Sequence, residues 1–209
     1  MLNVKLVFVD TSCEFSRYEK YLSFLPDERL AKISRFRFDK DKILSLFSGL
    51  LICNEASKKA DIKSNEIQFE YNEHEKPSIK NLPEFHFSVS HSGNCVAFVS
   101  DTSPIGIDTE IIADARIEIA KRFFSENEYK YILESENQNN TFYEVWTKKE
   151  AYVKFLGTGL STPLSSFDVT NKNLSNNFYT KPISEYMLSI FSETQNLSES
   201  NIKIEILNY

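Results

Sequence analysis

The sequence predicts an α+β fold of two similar halves, each a small antiparallel sheet packed with helices. Three observations predict it. Apolar and polar residues alternate, the period of a half-buried strand, at 2–9, 67–71, 85–90 and 105–110. Apolar residues recur at helical spacing over 42–60 and 142–156. Each half also runs in the same order, helices first and sheet after, a weak internal repeat that suggests pseudo-duplication. The turn at Asp101-Thr102-Ser103-Pro104 divides the chain into an N-terminal lobe, 1–101, and a C-terminal lobe, 102–209.

Taken in order, residues 2–9 make a first strand. Residues 14–24 suggest a short helix with Tyr18, Tyr21, Leu22 and Leu25 inward. Pro26-Asp27-Glu28 opens another, with proline and acids in the first turn as the helix dipole prefers. The apolar helix over 42–60 is the expected core of the first half. Asn72–Pro77 is a polar loop in which Lys76, preceding proline, is held extended. Strands at 85–90, 96–99 and 105–110 follow, the first two joined by the turn Ser92-Gly93-Asn94. Ile117, Ile119, Ala120, Phe123 and Phe124 suggest a helix, and Ser125-x-x-Glu128 is a capping box opening the next. Glu136–Asn140 reads as a loop, and Thr141-x-x-Glu144 as a second capping box opening the helix that Gly157 ends. Strand-like runs at 186–191 and 202–207 complete the pattern.

Composition narrows the class. The 209 residues are 41% hydrophobic and 26% charged, with 17 Phe and 10 Tyr against 5 Gly, a well-packed globular chain. A net charge of −6 argues against nucleic acid as the main partner. No apolar run approaches the ~18 residues of a membrane helix. Cys13, Cys53 and Cys95 are odd in number and widely spaced, which reads as reduced thiols of a cytoplasmic protein.

Two groups of residues carry chemistry. In the strand at 105–110, Ile105, Ile107 and Thr109 share one face, leaving Gly106, Asp108 and Glu110 on the other. Two carboxylates so placed repel unless a proton or cation stands between them, and hard oxygen ligands suit Mg²⁺. An acidic sheet edge is the bland alternative. On the 142–156 helix, Trp146, Glu150 and Lys154 share one face at i, i+4 and i+8. Lys148 and Lys149 are expected to be solvated.

These residues carry a resemblance. F-S-V-S-H-S at 87–92, P-I-G-I-D-T-E at 104–110 and W-T-K-K-E-A-Y-V-K at 146–154 look like the signature blocks of the 4′-phosphopantetheinyl transferases, the surfactin-synthetase-activating type in particular. I-A-K-R-F-F-S-E-N-E-Y at 119–129 and G-T-G-L-S-T-P-L at 157–164 fit as well. The resemblance covers roughly residues 22–169 and is strongest in 85–169. It implies two fused lobes with the active site in the cleft between them, and a monomer. It also implies transfer of phosphopantetheine from coenzyme A (CoA) to a serine of an apo carrier protein (acyl, polyketide or peptidyl), releasing 3′,5′-ADP.

By the same resemblance, Asp108, Glu110 and Glu150 would bind Mg²⁺. Glu150 would also take the serine proton, and Lys154 would assist the leaving oxygen. Lys76, Ser90 and His91 would hold the 3′-phosphate and ribose end of CoA, with Arg29, Lys32 and Ser45 near its adenine and 3′-phosphate. His91 otherwise only caps its hairpin. Glu128 would lie near the metal or the serine as a further catalytic group, although its capping box also explains it. The chain departs from the family pattern at Glu75, usually glycine, at Leu44, often basic, and at Thr158, commonly lysine. Two other readings remain: a CoA- or carrier-binding protein that has lost turnover, and an unrelated metal-dependent phosphoryl-transfer enzyme.

Overall fold

Strand β1 (Leu2–Phe8) shows why the fold is layered, because both of its faces are apolar. Val7 and the following Val9 join one buried cluster, while Leu2, Val4 and Leu6 join another. The computed structural model describes residues 1–80 and 82–209. In it, β1 is an inner strand of a four-stranded sheet ordered β4-β5-β1-β9, where β4 is His86–Ser92, β5 Cys95–Asp101 and β9 Ile202–Asn208. One face of this sheet is covered by helix α2 (Asp39–Ala60), whose Ile43, Leu46, Phe47 and Ile52 meet Val7, Phe87, Val96 and Phe98. The opposite face, with Val4, Leu6, Ala97 and Val99, meets a second sheet of three strands.

That second sheet is ordered β6-β8-β7, with β6 Gly106–Ile111, β7 Phe178–Ile183 and β8 Tyr186–Phe191. Ile105, Ile107, Leu188 and Ile190 point toward the first sheet. Met187, Phe191 and Phe178 point the other way, onto helix α5 (Gln138–Leu156), where they meet Phe142, Val145 and Ala151. Helix, sheet, sheet and helix thus form successive layers, each junction a buried apolar cluster. The architecture is mixed α+β.

Most elements fall where the sequence predicts. The 14–24 segment is a 3₁₀ helix, Phe15–Phe24, with Tyr18 buried. Helix α1 is Asp27–Ser34, with Pro26 in the N-cap position. A hairpin of β2 (Phe69–Tyr71) and β3 (Pro77–Ile79) presents the 72–76 loop at its tip. Helices α3 (Ile117–Phe123) and α4 (Glu126–Leu133) follow β6, and α4 opens on the predicted box with both reciprocal bonds made at Ser125 and Glu128.

Three expectations are corrected. Helix α5 begins a turn before Thr141, capped by the Asn137 side chain, which accepts from the Asn140 N–H at 3.1 Å. Thr141 lies inside the helix and donates to the Asn137 carbonyl, and Glu144 is engaged by Lys148. Asn137 competes for the helix start because its amide oxygen satisfies a free N–H as well as threonine does. Strand β7 was not expected; its Lys181-Pro182 pair disguises it, and as the sheet's edge strand it tolerates proline. The first sheet is not wholly antiparallel: β9 runs parallel to β1, from Leu2 opposite Ile202 to Phe8 opposite Asn208. A short α6 (Lys172–Ser175) joins the helical layer to β7.

The 72–76 loop holds a strained residue. Asn72 Oδ1 accepts from the N–H groups of His74 and Lys76, closing a tight turn that puts Glu75 at φ +63°. A left-handed backbone costs a residue with a Cβ about 1–2 kcal/mol, part of which glycine returns as unfolded-state entropy. Glu75→Gly is expected to raise the melting temperature by roughly 2–4 °C, given about 1 kcal/mol gained in a chain of this size; a lower melting temperature would show that the Glu75 side chain stabilises the turn.

Candidate active site

Glycine decides where β6 sits. A Cβ added at Gly106 would lie 2.8 Å from the Phe155 amide nitrogen and 2.9 Å from the Ala151 carbonyl carbon, with the Ala151 carbonyl oxygen closer still. Strand β6 and helix α5 are therefore in backbone contact at this point. That contact brings the Asp108 side of the strand to the Glu150–Lys154 face of the helix. Lys154 Nζ donates to Asp108 Oδ1 at 2.7 Å.

The two sheets meet here through side chains. Strands β4 and β6 are edges of different sheets. The alternating serines of β4 reach across: Ser88 Oγ accepts from the Ile107 N–H at 3.1 Å, and Ser90 Oγ donates to Asp108 Oδ1 at 2.6 Å. Ser92 Oγ donates to Glu110 Oε2 at 2.6 Å and accepts from the Ile111 N–H at 3.3 Å. Three hydroxyls thus stand in for a backbone ladder and fix both carboxylates at once.

Asp108 is 2% exposed, and its Oδ2 is buried without a hydrogen-bond partner. An orphaned carboxylate oxygen in this setting is costly unless a ligand meets it. Burial, then the Asp108 charge, pushes the pKa of Glu150 upward against the pull of Lys154. Burial also pushes Glu110 up, the Ser92 hydrogen bond opposes it, and Asp108 adds to the rise. The donor set is hard oxygen and carries excess negative charge, as a divalent cation requires. Among the described residues, no three His, Cys, Asp or Glu side chains are drawn together closely enough to hold an ion as posed; the Lys154 ammonium supplies the positive charge beside Asp108.

Of these groups, Glu150 and Lys154 line a cleft of about 860 Å³, and Asp108 lies behind Lys154; Glu110 borders a smaller neighbouring pocket with Ser92, Arg116 and Trp146. To the larger cleft helix α5 contributes Trp146, Glu150, Val153 and Lys154, β4 contributes Phe87, Ser88 and Val89, and the rest comes from 74–77, Ile119, Phe123 and the segment after Gly157. Lys76 lies in the wall. Its Nζ donates to the carbonyls of Lys154 at 2.6 Å and Phe155 at 3.2 Å, capping the end of α5 and leaving one N–H for the cleft. Burial lowers its pKa.

The structure thus brings together Asp108, Glu110, Glu150, Lys154, Lys76 and Ser90. The exposed His91 stands beyond Ser90 on β4, its pKa lowered by desolvation from the surrounding chain and by Lys154. Arg29 and Ser45 form a separate pair inside the α1–α2 contact. Arg29 is 4% exposed, donates to the Ser45 carbonyl at 3.1 Å and covers the Phe69 ring. Arg29 Nε and Ser45 Oγ have no partner. Lys32 is exposed on α1, and neither it, Arg29 nor Ser45 lines the cleft.

Glu128 is not drawn to the cleft. It is fully buried and bonded to Ser125, Val169 and Lys149. Lys149, expected to be solvated, is its ion-pair partner at 2.7 Å and is itself 0% exposed. The signal was present: Phe142, Val145 and Tyr152 recur at i, i+3 and i+10, and Lys149 falls on their stripe. Ser88, Ser92 and Gly106 were also missed as site-building residues. Gly106 has a positional signature only once β6 is laid on α5.

Comparison with known proteins identifies the family. The family model described as the 4′-phosphopantetheinyl transferase superfamily matches residues 104–203, and that of the 4′-phosphopantetheinyl transferase N-terminal region matches 12–103. The chain is 37% identical over 165 residues to the 4′-phosphopantetheinyl transferase Sfp of Bacillus subtilis (strain 168), covering 78% of this chain and 74% of that protein. It is 31% identical over 224 residues to the 4′-phosphopantetheinyl transferase gsp of Aneurinibacillus migulanus, covering 98% of this chain and 93% of that protein. With psf-1 of Bacillus pumilus it shares 36% identity over 166 residues, covering 78% of this chain and 71% of that protein. The chain belongs to the 4′-phosphopantetheinyl transferase superfamily and is of the Sfp type.

Proposed function

We propose that the cleft carries the transfer of 4′-phosphopantetheine from CoA to a serine hydroxyl of an apo carrier protein, releasing 3′,5′-ADP, with Mg²⁺ held by Asp108, Glu110 and Glu150. The observation that carries this reading is the meeting of Asp108, with its orphaned Oδ2, Glu150 and Lys154 beside one large cleft. Bound Mg²⁺ would neutralise the charge of the pyrophosphate during phosphoryl transfer. Glu150, with its raised pKa, is suited to accept the proton of the serine hydroxyl. Lys154 supplies a positive charge and a proton donor for the leaving 3′,5′-ADP oxygen. The N–H of Lys76 not used on α5 would hold a CoA phosphate, with Ser90 and His91 toward the ribose end; Arg29, Lys32 and Ser45 lie outside the cleft lining and would act only from its periphery.

The runs 1–101 and 102–209 act in this reading as two fused lobes with the site between them, β9 crossing back to the first sheet. The protein works as a cytoplasmic monomer. Among the described residues no helix is long and apolar enough to cross a membrane, and the net charge of −6 offers no attraction for nucleic acid or for an acidic carrier at long range. Carrier docking then rests on local contacts, for which Ile119 and the 44%-exposed Phe123 at the cleft mouth supply apolar surface.

Intact-mass spectrometry of an apo carrier protein incubated with the enzyme, CoA and Mg²⁺ tests the reading. A gain of one phosphopantetheine that EDTA abolishes supports it. No gain on several carriers, with CoA binding still measurable by calorimetry, would favour a binding protein without turnover.

Metal binding is also readable without turnover. The folded pKa values of Glu110 and Glu150 lie above their ordinary 4.5. Protonation therefore favours the fold, fully below that value, and the benefit is lost as pH rises through the folded values. At neutral pH the ionised pair is strained, and a cation relieves it. Mg²⁺ is expected to raise the melting temperature near neutral pH, by the equivalent of about 2.7 kcal/mol at 100 times its Kd. The gain should shrink on acidification and vanish in Glu150→Gln. A gain that persists in that variant would move the metal elsewhere.

A further inference from the structure

The Glu128–Lys149 pair is a large investment of buried charge that the proposed chemistry does not use. Both residues are 0% exposed, and every polar contact they need is made. Lys149 has three N–H groups and three acceptors: Glu128 Oε2 at 2.7 Å, the Leu164 carbonyl at 2.6 Å and the Phe167 carbonyl at 2.8 Å. Glu128 Oε1 accepts from the Val169 N–H at 2.8 Å, and its Oε2 also accepts from the Ser125 N–H at 2.8 Å. The Phe167 and Phe124 rings lie 4.2 and 5.4 Å from the ammonium. A charge so fully met is not placed to exchange a proton with a substrate.

What the pair does hold is a connecting stretch, a 3₁₀ turn at Leu164–Ser166 and the residues that follow it. Between Leu164 and Val169, three backbone groups are tied to it, one carbonyl at each of Leu164 and Phe167 and the N–H of Val169. The same stretch begins in the cleft, where Thr162, Pro163, Leu164 and Ser165 form a wall together with Gly157, Gly159 and Lys76. The anchoring residue, Lys149, is the chain neighbour of Glu150. The wall and the carboxylate are therefore referred to one rigid point on α5.

We propose that Glu128 and Lys149 are positioning residues that staple the 164–169 segment to α4 and α5 and thereby set the wall of the CoA cleft. This rests on the reading of the cleft as a phosphopantetheinyl transfer site. A wall touches the bound substrate in the ground and transition states alike, so loosening it weakens binding and spares turnover.

The double variant Glu128→Gln/Lys149→Met removes both charges together, because removing one would leave the other buried and alone. Wild type and variant are compared by circular dichroism, steady-state kinetics with an apo carrier and calorimetry with CoA. The expected result is a folded protein whose KM and Kd for CoA rise about tenfold while kcat stays within about threefold. A pair that serves stability only would lower the apparent kcat through the active fraction and leave KM and Kd unchanged, which overturns the proposal. A collapse of kcat at unchanged KM in a folded protein would make Glu128 catalytic and also overturns it. If the double variant does not fold, Glu128→Asp, which keeps the charge beside Lys149 but shortens the reach to the Val169 N–H, carries the test with an expected rise of about threefold in KM and Kd; no rise overturns the proposal. If the wild type itself transfers nothing, the transfer reading has failed; if the wild type transfers and the variant binds CoA normally, only the staple has failed.

Discussion

Glu150→Gln is expected to lower kcat for carrier modification on the order of 10³-fold, the scale of losing a group that acts on developing charge in a water-poor site. The substitution keeps the size of the side chain and removes a carboxylate whose charge is opposed by those of Asp108 and Glu110. Because burial and Asp108 already disfavour the ionised form of Glu150, the neutral amide should leave the melting temperature unchanged or raised. The two effects have opposite signs, which makes the test sharp. A variant that is both less stable and less active would point to a packing defect. A stable variant with near-normal kcat would remove Glu150 from the chemistry.

Gly106→Ala is expected to produce the largest loss from the smallest change. The added methyl group meets backbone atoms of Ala151 and Phe155 on α5, which cannot swing aside as a side chain could. Overpacking of this kind costs about 3 kcal/mol or more, which lowers the melting temperature by roughly 6–12 °C at this chain length. Moving β6 away from α5 also parts Asp108 from Lys154, now 2.7 Å apart. Activity should therefore fall even at temperatures where the variant is fully folded. Thermal unfolding followed by the carrier assay separates the two losses, and a variant of unchanged stability would refute the backbone contact.

Much of this was legible in the chain because the relevant signals are local. The period of β6 alone put Gly106, Asp108 and Glu110 on one face, and helical spacing put Trp146, Glu150 and Lys154 on another. The Ser125–Glu128 box is complete within four residues and formed as read. What was hidden depends on partners distant in sequence. Lys149 looked like one more surface lysine because its acceptors come from 128 and from 164–167. The serines of β4 looked like the polar face of a strand, yet that face looks onto another sheet's edge. Thr141-x-x-Glu144 was a sound local motif overruled by an asparagine four residues earlier. Strand β7 was concealed by a proline that only an edge position allows.

The parallel pairing of β1 with β9 bears on how the chain reaches this state. Residue 2 finds its neighbour at residue 202, so β1 waits for a partner synthesised much later. Until then the outer edge of β1 presents unpaired amides and carbonyls, a template for a stray strand from another molecule. Such distant pairings also slow folding, because a long loop must close before any contact rewards it. Protein synthesis thus leaves a nascent-chain interval in which crowding favours aggregation, and folding yield should depend on expression rate more than the finished molecule's stability would suggest.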